Sequence, residues 1–592
     1  MEIPAAKKYN LFVRLLNMAR PYKRYFFIAF LCIITLSFLG PLRPYLIGKM
    51  VDNYIINSQN KEKLLVWSLI IAGILVLEGI FQLIATYFSN LLAQSVIKDI
   101  RTKTFNHLLS FRMRYFDNTP VGALVTRVVS DVEAITEVFS AGLMEISGDL
   151  LSLFFVLTLM FLANWQLALM TLIPVPILII ATRIFAKAMK SSFQFERQQV
   201  TKLNTFVQEH ITGMGIVQLF NRQKIEYTKF EEINKGHRQA HVNAVWANSI
   251  FFPVVELLSS LSIAFLLVWG ALKAGGKTTQ EIKAMYGQII AFTLWINQLY
   301  RPIRQLADKF NILQRGTVRA ERIFEILDQE EHVQDVGTVD VCDFNQDIHF
   351  KNITFSYVPG QDVLKNINLV LEKGKTIAFV GATGSGKTTL TNLLGRFYDY
   401  EKGSIYIGET ELKTIQLNLL RANIAIVLQD VFLFSDTIHN NITLGNKNIT
   451  REEVILAAKA VGADGFISKL PDTYDYTIGE RGGVLSVGQR QLLAFIRAYL
   501  YNPVILILDE ATSSLDTESE ELIQKATDKL TQNRTSIIIA HRLSTIQKAD
   551  KIVVLEKGEI VELGSHKVLL KKGGYYKNLF DKQFQNNETP NT

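Results

Sequence analysis

Long apolar stretches fill the first half of the chain, whereas the second half has short apolar runs separated by turn residues. Six of the long stretches are near or above the roughly 20 residues that a helix needs to cross a hydrocarbon core. They predict six membrane-spanning helices, at 25–46, 64–88, 139–162, 165–186, 246–272 and 285–303. The short runs predict the strands and helices of a soluble α/β domain. The pattern therefore predicts an all-α membrane domain over 1–325, a linker over 326–345, a soluble domain over 346–582 and a polar, disordered tail over 583–592.

The connections between the predicted spans indicate the orientation of the chain. Long stretches rich in Lys and Arg follow the second and fourth spans, and such stretches remain in the cytoplasm. Both termini and the soluble domain are then expected in the cytoplasm, with the spans in the cytoplasmic (inner) membrane of a bacterium. Apolar spacing near 3.6 over 93–109 and 201–218 predicts helical extensions below the membrane, which end in turns at 116–124 and 213–220. An amphipathic helix over 10–18 is expected along the inner surface.

Composition narrows the possible classes. The chain has 592 residues, of which 48% are hydrophobic and 20% charged, and its mean hydropathy is +0.17. This balance excludes a disordered chain. The net charge of +8 fits the cytoplasmic Lys and Arg of a membrane protein, so no nucleic-acid partner is inferred. The two cysteines, Cys32 in an apolar run and Cys342 in a charged one, do not form the pattern of a disulfide framework or a zinc site.

A glycine-rich segment, GATGSGKT at 381–388, matches the phosphate-binding pattern G-x-x-x-x-G-K-[ST]. A predicted strand over 376–380 precedes it and a helical pattern over 389–396 follows it, which is the context that the pattern requires. The glycines let backbone N–H groups point at phosphate oxygens, the lysine reaches the β- and γ-phosphates, and the Thr388 hydroxyl binds Mg²⁺. The residues expected to bind the triphosphate are Gly381, Ala382, Thr383, Gly384, Ser385, Gly386, Lys387, Thr388 and Thr389.

Two carboxylates, Asp509 and Glu510, end an apolar strand that is predicted over 504–508. In proteins with a glycine-rich phosphate-binding loop (P-loop) such as 381–388, a carboxylate in this position holds Mg²⁺. We expect Asp509 to bind the metal ion and Glu510 to orient or deprotonate the water that attacks the γ-phosphate. Together with the P-loop, this pair predicts an ATP hydrolase that uses Mg²⁺.

A third motif, LSVGQ at 485–489, precedes a predicted helix over 490–500 and resembles the LSGGQ signature of the ATP-binding-cassette (ABC) superfamily. The other motifs of that family also match in order. Tyr357 stands where the family stacks a ring on adenine, Gln429 stands at the Q-loop, and His541 follows the strand 535–540 as the switch histidine. The D-loop corresponds to 514–516, and TIGERG at 477–482 is similar to a short motif of exporters. The resemblance covers nearly the whole chain and is to a half-transporter of the multidrug and lipid exporter type.

The resemblance implies a P-loop ATPase domain with an ABC helical subdomain, and ATP and Mg²⁺ as cofactors. It implies three catalytic residues, namely Glu510, His541 and Gln429. It implies three residues around the metal ion, namely Thr388, Gln429 and Asp509. Three further residues would close over the ATP held by a partner's P-loop, namely Ser486, Gly488 and Gln489. The working assembly would therefore be a dimer in which ATP binding closes the two ATPase domains, and the cytoplasmic turns carry that motion to the spans.

Val487 departs from the family pattern, because the family usually has glycine at this position of the signature. A side chain here either crowds the phosphate or points away from it, and the sequence leaves both open. Crowding would favour a heterodimer with one weaker ATP site. The retained Ser486 and Gly488, and the intact P-loop face of this chain, favour a homodimer.

Acidic residues inside the predicted spans give a hint about the substrate. Glu78, Glu145, Asp149 and Glu256 lie in spans, whereas Arg43 lies near an outer end. Ionisable groups there usually face a cavity or a partner. If these acids faced a cavity, they would favour cationic amphiphiles; the alternative is that they pair with other helices.

The leading interpretation is an ATP-driven exporter of hydrophobic or amphipathic compounds, of the multidrug type. Its expected partners are a second half-transporter chain, the lipid bilayer and the transported compound. A lipid flippase for envelope assembly has the same architecture, and basic residues at the inner cavity mouth would favour it. An ATP-gated channel or regulatory protein is the alternative from another class. The intact Glu510 argues against it, because a gate needs no fast hydrolysis.

Overall fold

The computed structural model describes residues 5–57, 60–274, 285–331, 335, 337–510, 517–540 and 542–584. The chain divides into two compact units. Unit 1 comprises Met1–Ser110 and Thr119–Glu330, and unit 2 comprises Phe111–Asn118 and Glu331–Thr592. A short segment from the first half of the sequence thus belongs to the second unit. The predicted membrane domain, 1–325, includes this segment.

Unit 1 is helical throughout the part that the structure describes. Its helices are α1 (Ala5–Ala19), α2 (Lys23–Met50), α3 (Lys61–Leu109), α5 (Val121–Thr126), α6 (Val132–Glu137), α7 (Glu145–Leu172), α8 (Val175–Thr212), α9 (Met214–Leu219), α10 (Gln223–Ala274) and α11 (Tyr286–Leu327). The helix α4 (Met113–Asn118) lies in unit 2. The turns expected at 116–124 and 213–220 fall at α4–α5 and at α9.

Five helical stretches among the described residues are long and apolar enough to cross a membrane: Val13–Ile56, Lys61–Leu109, Val121–Ala163, Trp165–Phe185 and Ser249–Lys273. They contain all or most of the first five predicted spans. The sixth predicted span, 285–303, lies at the start of α11 and is not one of these five stretches. Polar residues such as Asn297, Gln298 and Arg301 make that part of α11 less apolar. A sixth span stays a prediction.

The connection between the third and fourth predicted spans is a sharp break inside α7. Asn164 has an extended backbone, with φ −166° and ψ 103°. Its side-chain oxygen accepts hydrogen bonds from the N–H groups of Gln166 at 3.1 Å and Leu167 at 3.2 Å. One asparagine therefore ends one helical segment and caps the next, so no longer loop is needed.

Side chains of α11 donate hydrogen bonds to backbone carbonyls beside the prolines of α2. Pro44 has no N–H to donate to the carbonyl of Gly40, four residues earlier. Gln298 on α11 donates its amide to that carbonyl at 3.0 Å, and the fully buried Trp295 donates its indole N–H to Pro41 at 2.8 Å. A carbonyl left unpaired in a membrane is costly, so these two side chains also fix how α11 packs on α2.

The first and last helices of unit 1 are joined. Leu11 and Leu15 of α1 are buried. The Arg14 guanidinium donates to both carboxylate oxygens of Asp328, at 2.6 and 2.5 Å, and lies 4.2 Å from the centre of the Phe324 ring. This bidentate geometry is more specific than a single ionic contact.

All four acids that were singled out in the spans have basic partners. Glu78 pairs with Arg43 at 3.2 Å and Glu256 with Arg304 at 3.0 Å. Asp149 and Glu145 both contact the Lys309 ammonium, at 2.5 and 3.3 Å respectively. The alternative that these acids pair with other helices is therefore confirmed. The expected excess of acidic charge is neutralised.

Unit 2 contains two sheets. An antiparallel sheet has the strand order β2-β1-β4-β5 and a larger one the order β10-β9-β3-β8-β7-β6, in which β9, β3, β8, β7 and β6 run parallel. The strands are β1 (Ile348–Ser356), β2 (Asp362–Leu371), β3 (Thr376–Val380), β4 (Lys402–Ile407), β5 (Thr410–Glu411), β6 (Ile424–Val427), β7 (Ile505–Asp509), β8 (Thr535–Ile539), β9 (Lys551–Glu556) and β10 (Glu559–Gly564). The helices are α12 (Lys387–Leu394), α13 (Leu417–Asn423), α14 (Ile438–Thr443), α15 (Arg451–Val461), α16 (Asp464–Ile467), α17 (Val487–Tyr501), α18 (Thr517–Thr531), α19 (Leu543–Lys548), α20 (His566–Lys572) and α21 (Tyr575–Phe584).

The larger sheet is buried on both faces, as parallel sheets usually are. Along β7, Ile505 and Ile507 belong to one apolar core, whereas Leu506 and Leu508 belong to the other. This explains why the strand reads as a continuous apolar run. The predicted strand 376–380 matches β3, the predicted 504–508 is shifted by one residue at each end from β7, and the predicted 535–540 is one residue longer than β8. Of the predicted tail, 583 and 584 end α21 and the rest lies outside the described residues.

We expect Lys309→Ala to lower the melting temperature of the purified chain. Lys309 is buried, and it contacts both Asp149 and Glu145, so its removal leaves two carboxylates on one helix face without their shared partner. The matched control is Lys235→Ala, because Lys235 makes an exposed pair with Glu231 at 3.1 Å that contributes little. Equal melting temperatures for the two variants would contradict this role of Lys309.

Candidate functional site

The motifs of unit 2 meet at one edge of the larger sheet. The strands β3, β8 and β7 are neighbours and run parallel, so their carboxyl ends lie side by side. The segment 381–388 follows β3, and Asp509 is the last residue of β7. Gln429 follows β6, the next strand, and is exposed. Ligands of open α/β sheets bind at this edge.

Glycines give the 381–388 segment its tight path. Gly384 and Gly386 have positive φ, at +81° and +103°. A Cβ on Gly386 would come within 2.6 Å of the Leu364 side chain, and one on Gly381 would overlap the carbonyl oxygen of Leu555. The loop therefore closes only with glycine at these positions, and it leads directly into the N-terminus of α12.

Lys387 lies inside the loop. Its ammonium donates to the carbonyl of Gly381 at 2.8 Å and to that of Ala382 at 3.1 Å. Burial lowers the pKa of Lys387, and the nearby charge of Asp509 opposes this shift. Burial likewise raises the pKa of Asp509, with the Lys387 charge lowering it and that of Asp430 raising it. The ammonium, two carboxylates and the loop backbone thus form one electrostatic cluster.

The hydroxyl groups of the loop suit a phosphate and a hard cation. Ser385 is buried, and its Oγ has no hydrogen-bond partner among the described residues. Thr388 is exposed at the start of α12, and Ala382, Thr383 and Gly384 are exposed in the loop. No cluster of three His, Cys, Asp or Glu side chains occurs in the described part of the chain. The hydroxyl groups of Ser385 and Thr388 and the carboxylate of Asp509 are oxygen donors that fit Mg²⁺ shared with a nucleotide, since Mg²⁺ is usually bound through few carboxylates and substrate phosphates.

Tyr357 follows β1 and faces the P-loop. It lines a cavity of about 540 Å³ together with Gly384, Val363 and Lys557. Its hydroxyl donates to the Thr389 hydroxyl at 3.3 Å, so the ring is tied to α12. This is the position of the ring that the sequence assigned to adenine.

Glu510 is 5% exposed and has two contacts that the sequence did not indicate. Its Oε1 accepts a hydrogen bond from the buried Thr545 hydroxyl at 2.9 Å and lies 3.6 Å from Nε of Arg542. Its backbone N–H donates to Ile539 of β8 at 3.2 Å. Thr545 belongs to α19, which follows β8, so the sheet order alone could have indicated that it lies near this edge.

The signature residues lie at the N-terminus of α17. Ser486 caps the helix: its Oγ accepts from the N–H of Gln489 at 3.2 Å, while Gln489 accepts from the N–H of Ser486 at 3.0 Å. Gly488 is buried, and Val487 is half-buried as the first helical residue, without a positive φ. The local fold therefore accommodates Val487 without backbone strain.

Two predicted motifs lie outside the described residues. These are the switch residue His541 and the D-loop, 514–516.

A helical membrane unit and a P-loop unit in one chain define an ATP-driven membrane transporter. The ABC transporter transmembrane region model matches residues 26–303, and the ABC transporter model matches 364–513. The chain belongs to the ABC transporter family and has the architecture of a half-transporter. The expected fold class, the ATPase activity coupled to transport and the multi-pass membrane character are thereby confirmed.

Relatives match along almost the full chain. It is 36% identical over 573 residues to the uncharacterized ABC transporter ATP-binding protein YknV of Bacillus subtilis, covering 96% of this chain and 94% of that protein. It is 36% identical over 577 residues to the ATP-dependent lipid A-core flippase of Desulfotalea psychrophila, covering 96% and 99%. It is 35% identical over 581 residues to the same-named protein of Syntrophus aciditrophicus, covering 98% and 95%.

We expect Thr545→Val to lower kcat for ATP hydrolysis by about tenfold with little change in KM, because a hydrogen bond to a charged group contributes about 1.5 kcal/mol or more. Valine keeps the shape of threonine but cannot hold the Glu510 carboxylate. Steady-state ATPase assays check this, and Thr545→Ser should restore most of the activity. Equal losses in both variants would mean that Thr545 acts through packing instead.

Proposed function

We propose that two copies of this chain form an exporter that binds ATP and Mg²⁺ between the two copies. The exporter moves amphipathic compounds from the inner side of the cell membrane to the outer side. The supporting observation is the separation of the signature from the P-loop cavity. Ser486 caps an exposed helix start, and the described residues that line the cavity beside Tyr357 include none of the signature residues. A site that needs both halves is completed when a second chain supplies the signature.

Each predicted site residue has a proposed role. The loop 381–388 and Thr389 hold the phosphates, and Tyr357 stacks on adenine. Thr388, Gln429 and Asp509 would hold Mg²⁺, which would supply positive charge to stabilise the γ-phosphate. Glu510 accepts the proton of the attacking water, assisted by His541. Ser486, Gly488 and Gln489 contact the γ-phosphate that is bound to the other chain.

Exposed apolar side chains support a second copy as the partner. In the short helix α9 and just after it, Ile216, Leu219 and Phe220 are each more than 60% exposed. In unit 2, Phe432 and Phe434 are also exposed, at 56% and 58%. Large apolar side chains exposed next to one another in a short segment often mark an interface. A homodimer is favoured because Ser486 and Gly488 of the signature are retained and the P-loop face of this chain is intact.

The cavity of unit 1 supports an amphipathic substrate. It measures about 880 Å³ and lies among α2, α3, α7 and α11. Its wall combines hydroxyl and amide groups with the neutralised pairs Arg43–Glu78 and Lys309–Asp149. Such a wall offers hydrogen bonds and no large excess of either charge, which suits a polar headgroup attached to an apolar body.

A lipid flippase is the second candidate. Three basic residues, Arg43, Arg301 and Lys309, line the same cavity, and two relatives carry the name lipid A-core flippase. Two of the three basic groups are already paired with carboxylates, which weakens the case for a heavily phosphorylated lipid.

The proposed location is the cytoplasmic membrane of a bacterium, with both termini and unit 2 in the cytoplasm. The basic stretches after the second and fourth predicted spans support this orientation.

The first experiment is the ATPase activity of the purified chain in lipid vesicles. We expect activity that Glu510→Gln removes and the matched control Glu452→Gln keeps, because Glu452 is exposed on α15. A cationic amphiphile, a zwitterionic lipid and a phosphorylated glycolipid are then added in turn. Stimulation by the zwitterionic lipid supports the amphipathic class, and stimulation by the glycolipid alone supports the flippase. No activity above Glu510→Gln would contradict a self-sufficient homodimer and direct the search to a partner chain.

The shared site can be tested by mixing two inactive variants. Lys387→Ala removes the P-loop lysine and Ser486→Ala the signature serine, so each homodimer should be inactive. In mixed dimers one site loses both residues and the other keeps both, so about half of the sites should recover in mixed dimers that are isolated through both tags. Co-expression of the two variants with different affinity tags checks this. A mixed dimer without activity would contradict a shared site that works on its own.

A further inference from the structure

A histidine joins the two long helices on either side of α9. His210 lies in the last turn of α8, and Glu226 lies in the first turn of α10. The Nε2 atom of His210 lies 2.8 Å from a carboxylate oxygen of Glu226, and the two side chains are only 25% and 19% exposed. This half-buried pair therefore connects α8 to α10 at the end of the hairpin where α9 lies.

Both ring nitrogens of His210 face acceptor oxygens. Nδ1 lies 2.7 Å from the carbonyl oxygen of Phe206, and Nε2 lies beside the carboxylate of Glu226. A neutral imidazole has one N–H and one lone pair, so it can donate to only one of these oxygens and would turn its lone pair towards the other. The imidazolium has two N–H groups and donates to both. The geometry therefore suits the charged form of His210.

The surroundings keep the proton on His210 and not on Glu226. Lys229, also on α10, donates its ammonium to the second carboxylate oxygen of Glu226 at 2.8 Å. The hydrogen bond from Lys229 and, next, that from His210 lower the pKa of Glu226, so this carboxylate stays ionised. The Phe206 ring stacks on the imidazole, with ring centres 3.8 Å apart and planes at 17°. A positive charge over an aromatic face is attracted to it, which also favours the imidazolium.

The pKa of His210 is raised above its ordinary value of about 6.5. The hydrogen bond to Glu226 is the largest cause and the one to the Phe206 carbonyl is the next, whereas burial opposes the shift. The negative charges of Glu226 and Glu209 raise the pKa further. The short helix α9, with the sequence MGIVQL, has no titratable side chain, so the charges that act on His210 belong to α8 and α10.

We propose that His210 is a pH-sensitive link that holds the hairpin of α8, α9 and α10 closed while its imidazole is protonated, and that the hairpin loosens when this proton is lost. The link goes beyond the export activity proposed above and does not depend on which compound is transported. It requires only the contacts of His210 with Phe206 and Glu226.

The direction of the pH effect follows from the two pKa shifts. Because the pKa of His210 is raised, its contribution to stability is complete below about pH 6.5 and is lost as the pH rises through the raised pKa. Because the pKa of Glu226 is lowered, its contribution is complete above about pH 4.3 and is lost as the pH falls through the lowered pKa. The link is therefore complete between these two limits and weakens on the alkaline side.

The segment next to the link is α9. The N–H of Gly213 donates to the carbonyl of Glu209 at 2.8 Å, so α9 begins directly from the last turn of α8. Its Ile216 and Leu219 are 66% and 77% exposed. The pH would thus control how firmly this exposed apolar surface is held. Under the orientation proposed above, the pH that matters is that of the cytoplasm.

A second pair between the same two helices provides a matched control. His241 of α10 lies 3.1 Å from a carboxylate oxygen of Glu196 of α8. His241 is 62% exposed, and its ring makes no second hydrogen bond to the described residues. Exposed ion pairs contribute little to stability, so this pair should have little influence on the hairpin.

Backbone hydrogen exchange tests the link. Exchange of 206–219 is measured on the full chain in lipid nanodiscs at about pH 6 and at about pH 9, on either side of the ordinary pKa of histidine. Protection factors are compared because they remove the intrinsic dependence of exchange on pH. We expect protection of this segment to fall about fivefold at the higher pH, the upper end for partly exposed ion pairs.

His210→Gln keeps a donor towards Glu226 but cannot carry a charge. Its protection at the lower pH should fall to the level that the parent chain shows at the higher pH, and the pH dependence should vanish. The control His241→Gln should keep the full dependence. A purely structural role of His210 would instead lower protection at both pH values and leave the difference between them.

The pKa of His210 can be measured directly. Exchange of the imidazole C2 hydrogen, followed by mass spectrometry across a range of pH, reports the pKa of each histidine in the intact chain. We expect the pKa of His210 to lie above its ordinary value and to return towards that value in Glu226→Gln.

Three results would overturn the proposal. The first is a pKa of His210 at or below about 6.5 in the parent chain. The second is equal protection of 206–219 at the two pH values. The third is a pH dependence that persists unchanged in His210→Gln.

Discussion

The chemistry of unit 2 depends on the parallel pairing of β3, β8, β7 and β6. Parallel strands end at the same edge, so residues far apart in sequence meet there without any contact between their own elements. Lys387 follows β3 and Asp509 ends β7, and β8 is the one strand between β3 and β7 in the sheet. The two side chains are therefore close enough for each charge to shift the pKa of the other. The pairing is stable because both faces of the sheet are covered by apolar cores. Because this packing holds the strands together, it also determines which charged side chains lie close to each other at the sheet edge.

In unit 1, polar groups must be paired because the membrane excludes water. Its charges are held as pairs, and the carbonyl that Pro44 leaves unpaired is bonded by Gln298. Each of these contacts joins two helices. The groups that are expensive to bury are thus the same groups that specify which helices pack together, whereas apolar side chains alone would allow many arrangements.

The sequence was sufficient for features that depend on local spacing. The P-loop and the two carboxylates at the end of β7 could each be predicted, because a few neighbouring residues define them. Contacts between distant side chains could not. The bond from Thr545 to Glu510 spans 35 positions and that from Lys309 to Asp149 spans 160, and neither leaves a periodic signal. For the same reason, the sequence left open whether the acids in the spans face a cavity or pair with other helices, and it could not identify their partners.

The contact between α1 and α11 has a consequence for handling the protein. Chain ends are where proteolysis and unfolding usually begin. Here the Arg14 guanidinium binds the Asp328 carboxylate, so α1 is bonded to the end of α11, the last helix of unit 1. The two residues are 314 positions apart in the sequence. A truncation that removes Arg14 would remove this contact, together with the packing of the buried Leu11 and Leu15.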